Sequence, residues 1–407
     1  MKSFISLFYI LCYSNNSFSQ EIQSASNWKI ETEFPGGAVD DGSVFIIDDF
    51  IYAGSGIDQT FTVQKDWWSY SLMTKEWTAI HDLPGEARQY AASCSNDHYG
   101  FVFGGVSQNG AYLNSCFRFD SEINEWQLIG NAPWSPRAAM AIFQTAEAAY
   151  IVGGRSDSLK FDEVWKFSFE SDEWTQRSSF PGGGHDEMIA FAFQGKGYVG
   201  HGRRNGGVNE AFWKYDIPND LWEQIEQFPG EARSYSAAVS TKRGGIVVGG
   251  VDENSTILSE VNAFSTQDEQ WTELGSLPDS VPLRGHGLLF RKNKLYTFGG
   301  LTNNFRRVSE LFSLELFEFP ETIENYDVSL FPNPCSDKCF IDLPQSFEED
   351  LRLEAVKLNG GQYRQINISN GVTHYVLDTS AWTEGFYILH FSNQYQRFIR
   401  KLIVIKS

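Results

Sequence analysis

Tryptophan recurs at positions 28, 77, 126, 174, 222 and 271, at intervals of 48 or 49 residues. A proline stands seven positions after each: Pro35, Pro84, Pro133, Pro181, Pro229 and Pro278. A fixed period of this length marks a repeat architecture, in which one unit cannot bury both its faces and neighbours must stack. Four positions after most of the prolines comes a basic residue (Arg88, Arg137, His185, Arg233). Arg284 stands two places later in its unit, and the first unit has Val39. A glycine pair or near-pair follows: Gly54-Ser55-Gly56, Gly104-Gly105, Gly153-Gly154, Gly200-His201-Gly202, Gly249-Gly250 and Gly299-Gly300. Seven residues before each later Trp lies an aromatic (Tyr70, Phe119, Phe167, Tyr215, Phe264), and Trp68, Trp165 and Trp213 stand two places before three of these. A period of two keeps side chains on one face of a strand, so these rings are expected to fill the space between sheets.

Within a unit the pattern reads as four short strands, in the second near Tyr90–Ser93, Tyr99–Phe103, Cys116–Phe119 and Trp126–Ile129. No long 3.6-residue period interrupts the aromatic and β-branched runs. The sixth unit has three such strands, and Trp28–Phe34 is left over at the other end of the array. That orphan is expected to become the outer strand of the last unit, which removes an open sheet edge.

These residues resemble the Kelch repeat: a basic residue opening the inner strand, a Gly doublet closing the second, an aromatic third and a Trp on the fourth. The resemblance spans residues 28–316 and implies an all-β, six-bladed Kelch-type propeller. After Leu316 the period stops, and about seven alternating strands follow from Tyr326. They suggest a small immunoglobulin-like sandwich. Leu330-Phe331-Pro332-Asn333-Pro334, Lys357-Leu358-Asn359-Gly360-Gly361-Gln362, Glu384-Gly385-Phe386-Tyr387-Ile388 and the terminal Arg400–Lys406 run resemble the C-terminal sorting domain of type IX secretion cargo. The resemblance implies passage through both membranes to the cell surface or medium, with residues 326–407 engaging the secretion machinery.

Residues 1–19 read as a signal peptide, with Lys2 before the apolar run Phe4–Tyr13 and small residues Ser17 and Ser19 at the cleavage positions. The expected organisation is therefore 1–19 signal, 20–317 propeller, 318–325 linker and 326–407 sorting domain. No segment reaches the length of apolar residues that spans a bilayer. A net charge of −20 excludes nucleic acid as a natural partner. Export permits Cys335 and Cys339 to bridge, and two free thiols are the equal alternative.

Loops on one face of such a ring would carry Arg88, Arg137, Arg155, His185, His201, Arg203, Arg204, Arg233, Arg284, His286, Arg306 and Arg307, with Tyr90 and Tyr235 beside them. The turns before each Trp, on the opposite face, are acidic. Guanidinium forks suit carboxylates, sulfates and phosphates, so this rim is expected to bind a glycan or an acidic protein. The competing reading is that the post-proline Arg braces a repeated turn. Residues that break the repeat are the better functional candidates: His185-Asp186-Glu187, His201 and Arg203-Arg204. Binding is the expected role. The alternative is a sugar-modifying enzyme such as the sialic-acid epimerases of six-bladed Kelch type, with His185, Glu187 and Glu210 as acid–base groups and Arg203 on the sugar carboxylate. Neither a cofactor nor a metal is expected: the copper-oxidase set of converging Tyr, Cys and His is missing, and no Gly-x-Ser-x-Gly or His-Glu-x-x-His motif occurs.

Overall fold

A computed structural model describes residues 28–225, 228, 230–266, 269–278, 281–316, 328–343, 350–357, 363–392 and 397–406. The expected signal peptide and linker lie outside these residues. The chain divides into two compact units, Met1–Phe317 and Glu318–Ser407.

The first unit is a ring of six four-stranded antiparallel blades. Blade 1 is Ser43–Ile47, Phe50–Gly54, Trp67–Ser71 and Trp77–Ile80. Blade 2 is Ala92–Ser95, Tyr99–Ser107, Tyr112–Asp120 and Glu125–Asn131. Its middle strands run further than the sequence pattern suggests, because pairing continues past a bulge at Gly104-Gly105. Blades 3 to 5 begin at Ala141–Gln144, Ile189–Phe193 and Ala237–Ser240. Blade 6 holds Gly287–Arg291, Lys294–Phe298 and Glu310–Glu315, and Lys29–Glu33 completes it by pairing antiparallel with Glu310–Glu315. The orphan strand therefore closes the ring.

The recurring aromatics are cross-strand pairs. Tyr70, Phe119, Phe167, Tyr215 and Phe264 sit opposite Trp77, Trp126, Trp174, Trp222 and Trp271 in register. Their centroids are 4.6–5.1 Å apart. Such pairs add to the burial that holds neighbouring sheets together.

Two rings of backbone hydrogen bonds sew the blades together around the axis. In the outer ring the second residue of each glycine doublet donates its N–H to the next blade's carbonyl: Gly56 to Arg88, Gly105 to Arg137, Gly154 to His185, Gly202 to Arg233, Gly250 to Leu283 and Gly300 to Val39, all at 2.8–3.0 Å. This explains the doublet. A Cβ on Gly153 would stand 2.5 Å from the His185 carbonyl oxygen, and both members have positive φ. In the inner ring, Asp41 donates to Gly285, Tyr90 to Asp41, Ala139 to Tyr90, Glu187 to Ala139 and Gly285 to Tyr235. These residues and Tyr235 all adopt φ of 55–62°.

The second unit packs the sheet Ser329–Phe331, Lys338–Asp342, His374–Asp378 with the sheet Tyr363–Ile368, Leu351–Lys357, Gly385–Ser392, Arg397–Val404. Its core holds Ile341, Leu353, Leu389 and Leu402 together with Cys335 and Cys339. Both cysteines are free thiols, and burial with Cys335 alongside pushes Cys339 up to about 12.

Candidate functional site

The hydrogen-bond rings fix which residues are equivalent between blades. Three consecutive positions begin each inner strand. The first, whose carbonyl accepts from the previous blade's doublet, is Val39, Arg88, Arg137, His185, Arg233 and Leu283. The second is Asp40, Gln89, Ala138, Asp186, Ser234 and Arg284. The third, nearest the axis, is Asp41, Tyr90, Ala139, Glu187, Tyr235 and Gly285.

Arginines in the first position are structural braces. Arg88, Arg137 and Arg233 are each 1% exposed. Arg137 donates from Nε to the Ser135 carbonyl, from Nη1 to the Gly153 carbonyl and from Nη2 to Glu163, and it lies 3.6 Å over the Phe161 ring. Arg88 and Arg233 repeat this with Gly104 and Gly249 as carbonyl partners. Burial lowers the pKa of all three guanidiniums. The expectation that they face a ligand is corrected: their donors are spent on the blade's own turns.

The histidines are corrected too. His185 fills the Arg position, donating its Nδ1–H to the Gly183 carbonyl and standing edge-on to Phe180. His201 accepts the Arg233 N–H at Nδ1 and packs against Phe228. His286 is buried with neither ring nitrogen partnered. Burial lowers all three, His201 and His286 to about 3. An unfolded His takes a proton near its ordinary 6.5, whereas buried His286 refuses one, so stability falls as the pH drops through 6.5 toward 3. His286→Leu removes this liability. We expect its urea midpoint to change less between pH 7 and pH 5 than the parent's, and to match or exceed the parent's at pH 7. An unchanged pH dependence would show that His286 is protonated in the folded chain.

Three further expected residues, Arg204, Arg306 and Glu210, lie outside the charged cluster. Arg204 is exposed in a short hairpin. Arg306 is exposed and pairs with Glu310 at 3.3 Å. Glu210 is exposed and makes none of the ion pairs described below, so the expected convergence of His185, Glu187, Arg203 and Glu210 reduces to Glu187 with Arg203.

The charged cluster forms instead from the second and third positions and from the residue after each glycine doublet. That residue is Ile57, Val106, Val251 or Leu301 in four blades and Arg155 or Arg203 in the other two. Arg155 Nη1 donates to Asp186 Oδ2 at 2.7 Å and to Glu187 Oε1. Arg203 Nη2 donates to Glu187 Oε1 at 2.9 Å, and Lys160 Nζ to Asp186 Oδ1 at 2.6 Å. Across the axis, Arg284 reaches Asp40 at 3.7 Å and Asp41 at 3.8 Å, and Arg307 Nε donates to Asp40. Arg284 is placed there because the first position, which Leu283 takes, stands five places after Pro278 and not four.

Tyr90 and Tyr235 face each other from opposite blades with ring centroids 6.1 Å apart. Arg155 lies over Tyr90 at 4.9 Å, and Arg284 over Tyr235 at 4.8 Å. The Tyr90 hydroxyl stands beside Asp41, and that of Tyr235 beside Glu187. Two acid–tyrosine–arginine sets thus face one another, Asp41–Tyr90–Arg155 and Glu187–Tyr235–Arg284, each spread over three consecutive blades. Burial, then the neighbouring Asp40 charge, raises Asp41 well above the usual carboxylate range. Burial raises Glu187 as well, against the pull of Arg155 and Arg203. Asp186 is held low, because Lys160, Arg155 and Arg203 outweigh its burial. Glu187 Oε2 is buried without a hydrogen-bond partner, as are Asp40 Oδ2 and Arg203 Nε. The site therefore combines surplus cationic groups with two carboxyls inclined to hold protons.

Sequence reasoning missed Asp40, Asp41 and Lys160, and placed the two tyrosines only as neighbours. The available signal was the position after the doublet, where Arg replaces an aliphatic residue in two adjacent blades.

Among the described residues no group of three or more His, Cys, Asp or Glu is arranged to hold a metal ion, and no helix is long and apolar enough to cross a membrane.

Residues 12–183 match the KLHDC2/KLHL20/DRC7 Kelch-repeats domain, and residues 329–406 match the secretion system C-terminal sorting domain. Curated relatives named N-acetylneuraminate epimerase, from Shigella flexneri serotype 5b (strain 8401) and Escherichia coli (strain K12), are 29% identical over 123 residues, or 29% of this chain. The chain matches 32% of those relatives' length. A solved structure described as "Structure of YjhT" has a TM-score of 0.59 at 19% identity, covering 69% of this chain and 95% of that chain, a likeness of fold.

Proposed function

We propose that this chain, a Kelch-repeat propeller carrying a type IX secretion sorting domain, is exported to the cell surface or medium, where it binds a sugar acid of the N-acetylneuraminate class and interconverts its anomers. The observation that carries the reading is the pair of opposed acid–tyrosine–arginine sets. The epimerase names of the partial relatives agree with it.

Anomer interconversion needs two proton transfers, reversible cleavage of the ring C–O bond and rotation of the opened carbonyl, and no oxidant or co-substrate. A base takes the anomeric hydroxyl proton, an acid protonates the ring oxygen, and the ring C–O bond opens to a ketone. The reverse steps close it on the other face. Glu187, kept more acidic than Asp41 by Arg155 and Arg203, suits the base; Asp41 suits the acid. The cationic groups would hold the sugar's carboxylate. With Asp41 neutral, the basic side chains of Arg155, Lys160, Arg203, Arg284 and Arg307 outnumber the remaining carboxyls of Asp40, Asp186 and Glu187.

NMR exchange between the anomers of N-acetylneuraminate tests this on the full chain. Saturable acceleration is the expected result. Saturable binding without acceleration would leave a recognition module, the reading favoured by the existing ion pairs of Glu187, and absence of both would remove the mouth as the site. Affinity should weaken as the pH rises through the elevated ranges of Glu187 and Asp41, because each ionisation adds a negative charge beside the anion. A pH-independent affinity would place the carboxylate elsewhere.

A further inference from the structure

Four blades build the same hairpin loop after the glycine doublet. Its corner residue donates its N–H three residues back: Phe61 to Asp58, Gly110 to Ser107, Ser255 to Asp252 and Phe305 to Thr302, at 2.9–3.2 Å. All four corners have positive φ, at 63°, 78°, 67° and 56°. Glycine or a small polar residue adopts that conformation at low cost, whereas a bulky aromatic is strained there. Phe61 and Phe305 nevertheless occupy it, 68% and 77% exposed, so burial does not repay the strain.

The backbone of the two corners is also held in place by a neighbouring glutamine. Gln108 of blade 2 accepts the Val63 N–H at 2.6 Å and donates to the Phe61 carbonyl at 3.2 Å. Gln59 of blade 1 does the same for Arg307 and Phe305, at 3.0 and 3.3 Å. The corners adjoin the charged cluster. Arg307 lies 4.8 Å over the Phe61 ring while bonding Asp40, which Arg284 also reaches. Arg306, exposed, follows Phe305 directly.

We propose that Phe61 and Phe305 form a stacking ledge for a second sugar ring, so that the mouth takes the reducing-end sugar acid of an acidic oligosaccharide in preference to a lone monosaccharide. The proposal rests on the sugar-acid reading above. The reducing end is required because ring opening needs a free anomeric hydroxyl. The C–H faces of a pyranose suit exposed aromatic rings, and the exposed Arg306 suits a second acidic residue.

Calorimetric titration of the full chain with N-acetylneuraminate, and with the disaccharide of two such units, tests the ledge. The parent should bind the disaccharide about tenfold more tightly, the worth of one or two ring contacts. The variant Phe61→Asn with Phe305→Asn should erase that preference, leave the monosaccharide affinity unchanged and keep or raise Tm, since Asn tolerates the corner conformation. Equal affinities in the parent, a preference that survives in the variant, or a fall in Tm would each overturn the ledge while leaving the sugar-acid reading standing. Failure of the parent to bind either sugar would overturn that reading and the ledge with it.

Discussion

Phe34→Ala should lower the stability of the propeller by about 3–5 kcal/mol, the cost of emptying a large buried aromatic site. Phe34 directly follows the strand that closes the ring, and only 4% of it is exposed. Its ring meets Phe298 of its own blade at 4.7 Å, and Trp77 and Trp68 of blade 1 at 5.1 and 6.2 Å. Its N–H bonds the Ser309 carbonyl at 2.7 Å. One side chain thus joins the last blade to the first. The same position before the repeat proline is buried in the other units, as Leu83, Ala132, Phe180, Phe228 and Leu277. Phe180→Ala is therefore the matched control at an ordinary blade junction, and a similar loss there would show that the closing junction is packed like the rest. Tryptophan fluorescence in urea reads this directly: of the 12 tryptophans only Trp382 lies in the second unit. Deleting residues 28–34 should be worse, since it exposes the Glu310–Glu315 edge and opens the cluster on which Trp28 packs. A truncated chain with the parent's urea midpoint would show that the ring does not depend on this strand.

The closing strand was legible in the sequence because every blade imposes the same demands. Trp77 and its equivalents recur since each must face an aromatic across the strand pair, and the doublet recurs since a Cβ would strike the next blade's carbonyl. The site was only partly legible, for the opposite reason. Asp41, Tyr90, Ala139, Glu187, Tyr235 and Gly285 share a backbone conformation and a hydrogen-bond ring but no side-chain chemistry, so no pattern search gathers them. Counting from prolines aligned Arg284 with the braces, whereas counting from doublet bonds puts it one position further on, beside Asp41. The residues most conspicuous by repetition, Arg88, Arg137 and Arg233, proved to be buried braces: a feature shared by several blades answers a need of the fold. Departures from the repeat, Glu187 and Arg203 among those read from sequence, lead to the charged mouth.

Glu187→Gln should reduce the rate of anomer exchange by about 10²–10⁴-fold, the range for loss of a positioned acid–base group. Gln keeps the shape of the protonated carboxyl and can still accept from Arg155 and Arg203, but it cannot take a proton from the anomeric hydroxyl. Removing the carboxylate also removes a negative charge from beside the bound anion, so affinity should stay level or tighten while the rate collapses. A merely structural role predicts the reverse, with affinity and rate failing together as the cluster loosens. The pH profile separates the two acids. The parent rate should rise as Glu187 ionises and fall as the more strongly raised Asp41 ionises, which gives a bell. Glu187→Gln should abolish the rising limb, and Asp41→Asn the falling one. Combining the two substitutions should cost less than the product of the separate losses, because one proton-transfer sequence needs both groups. An exchange rate that survives Glu187→Gln would dismiss the two-acid scheme, and a profile without a bell in the parent would show that these carboxyls do not titrate in the reacting complex.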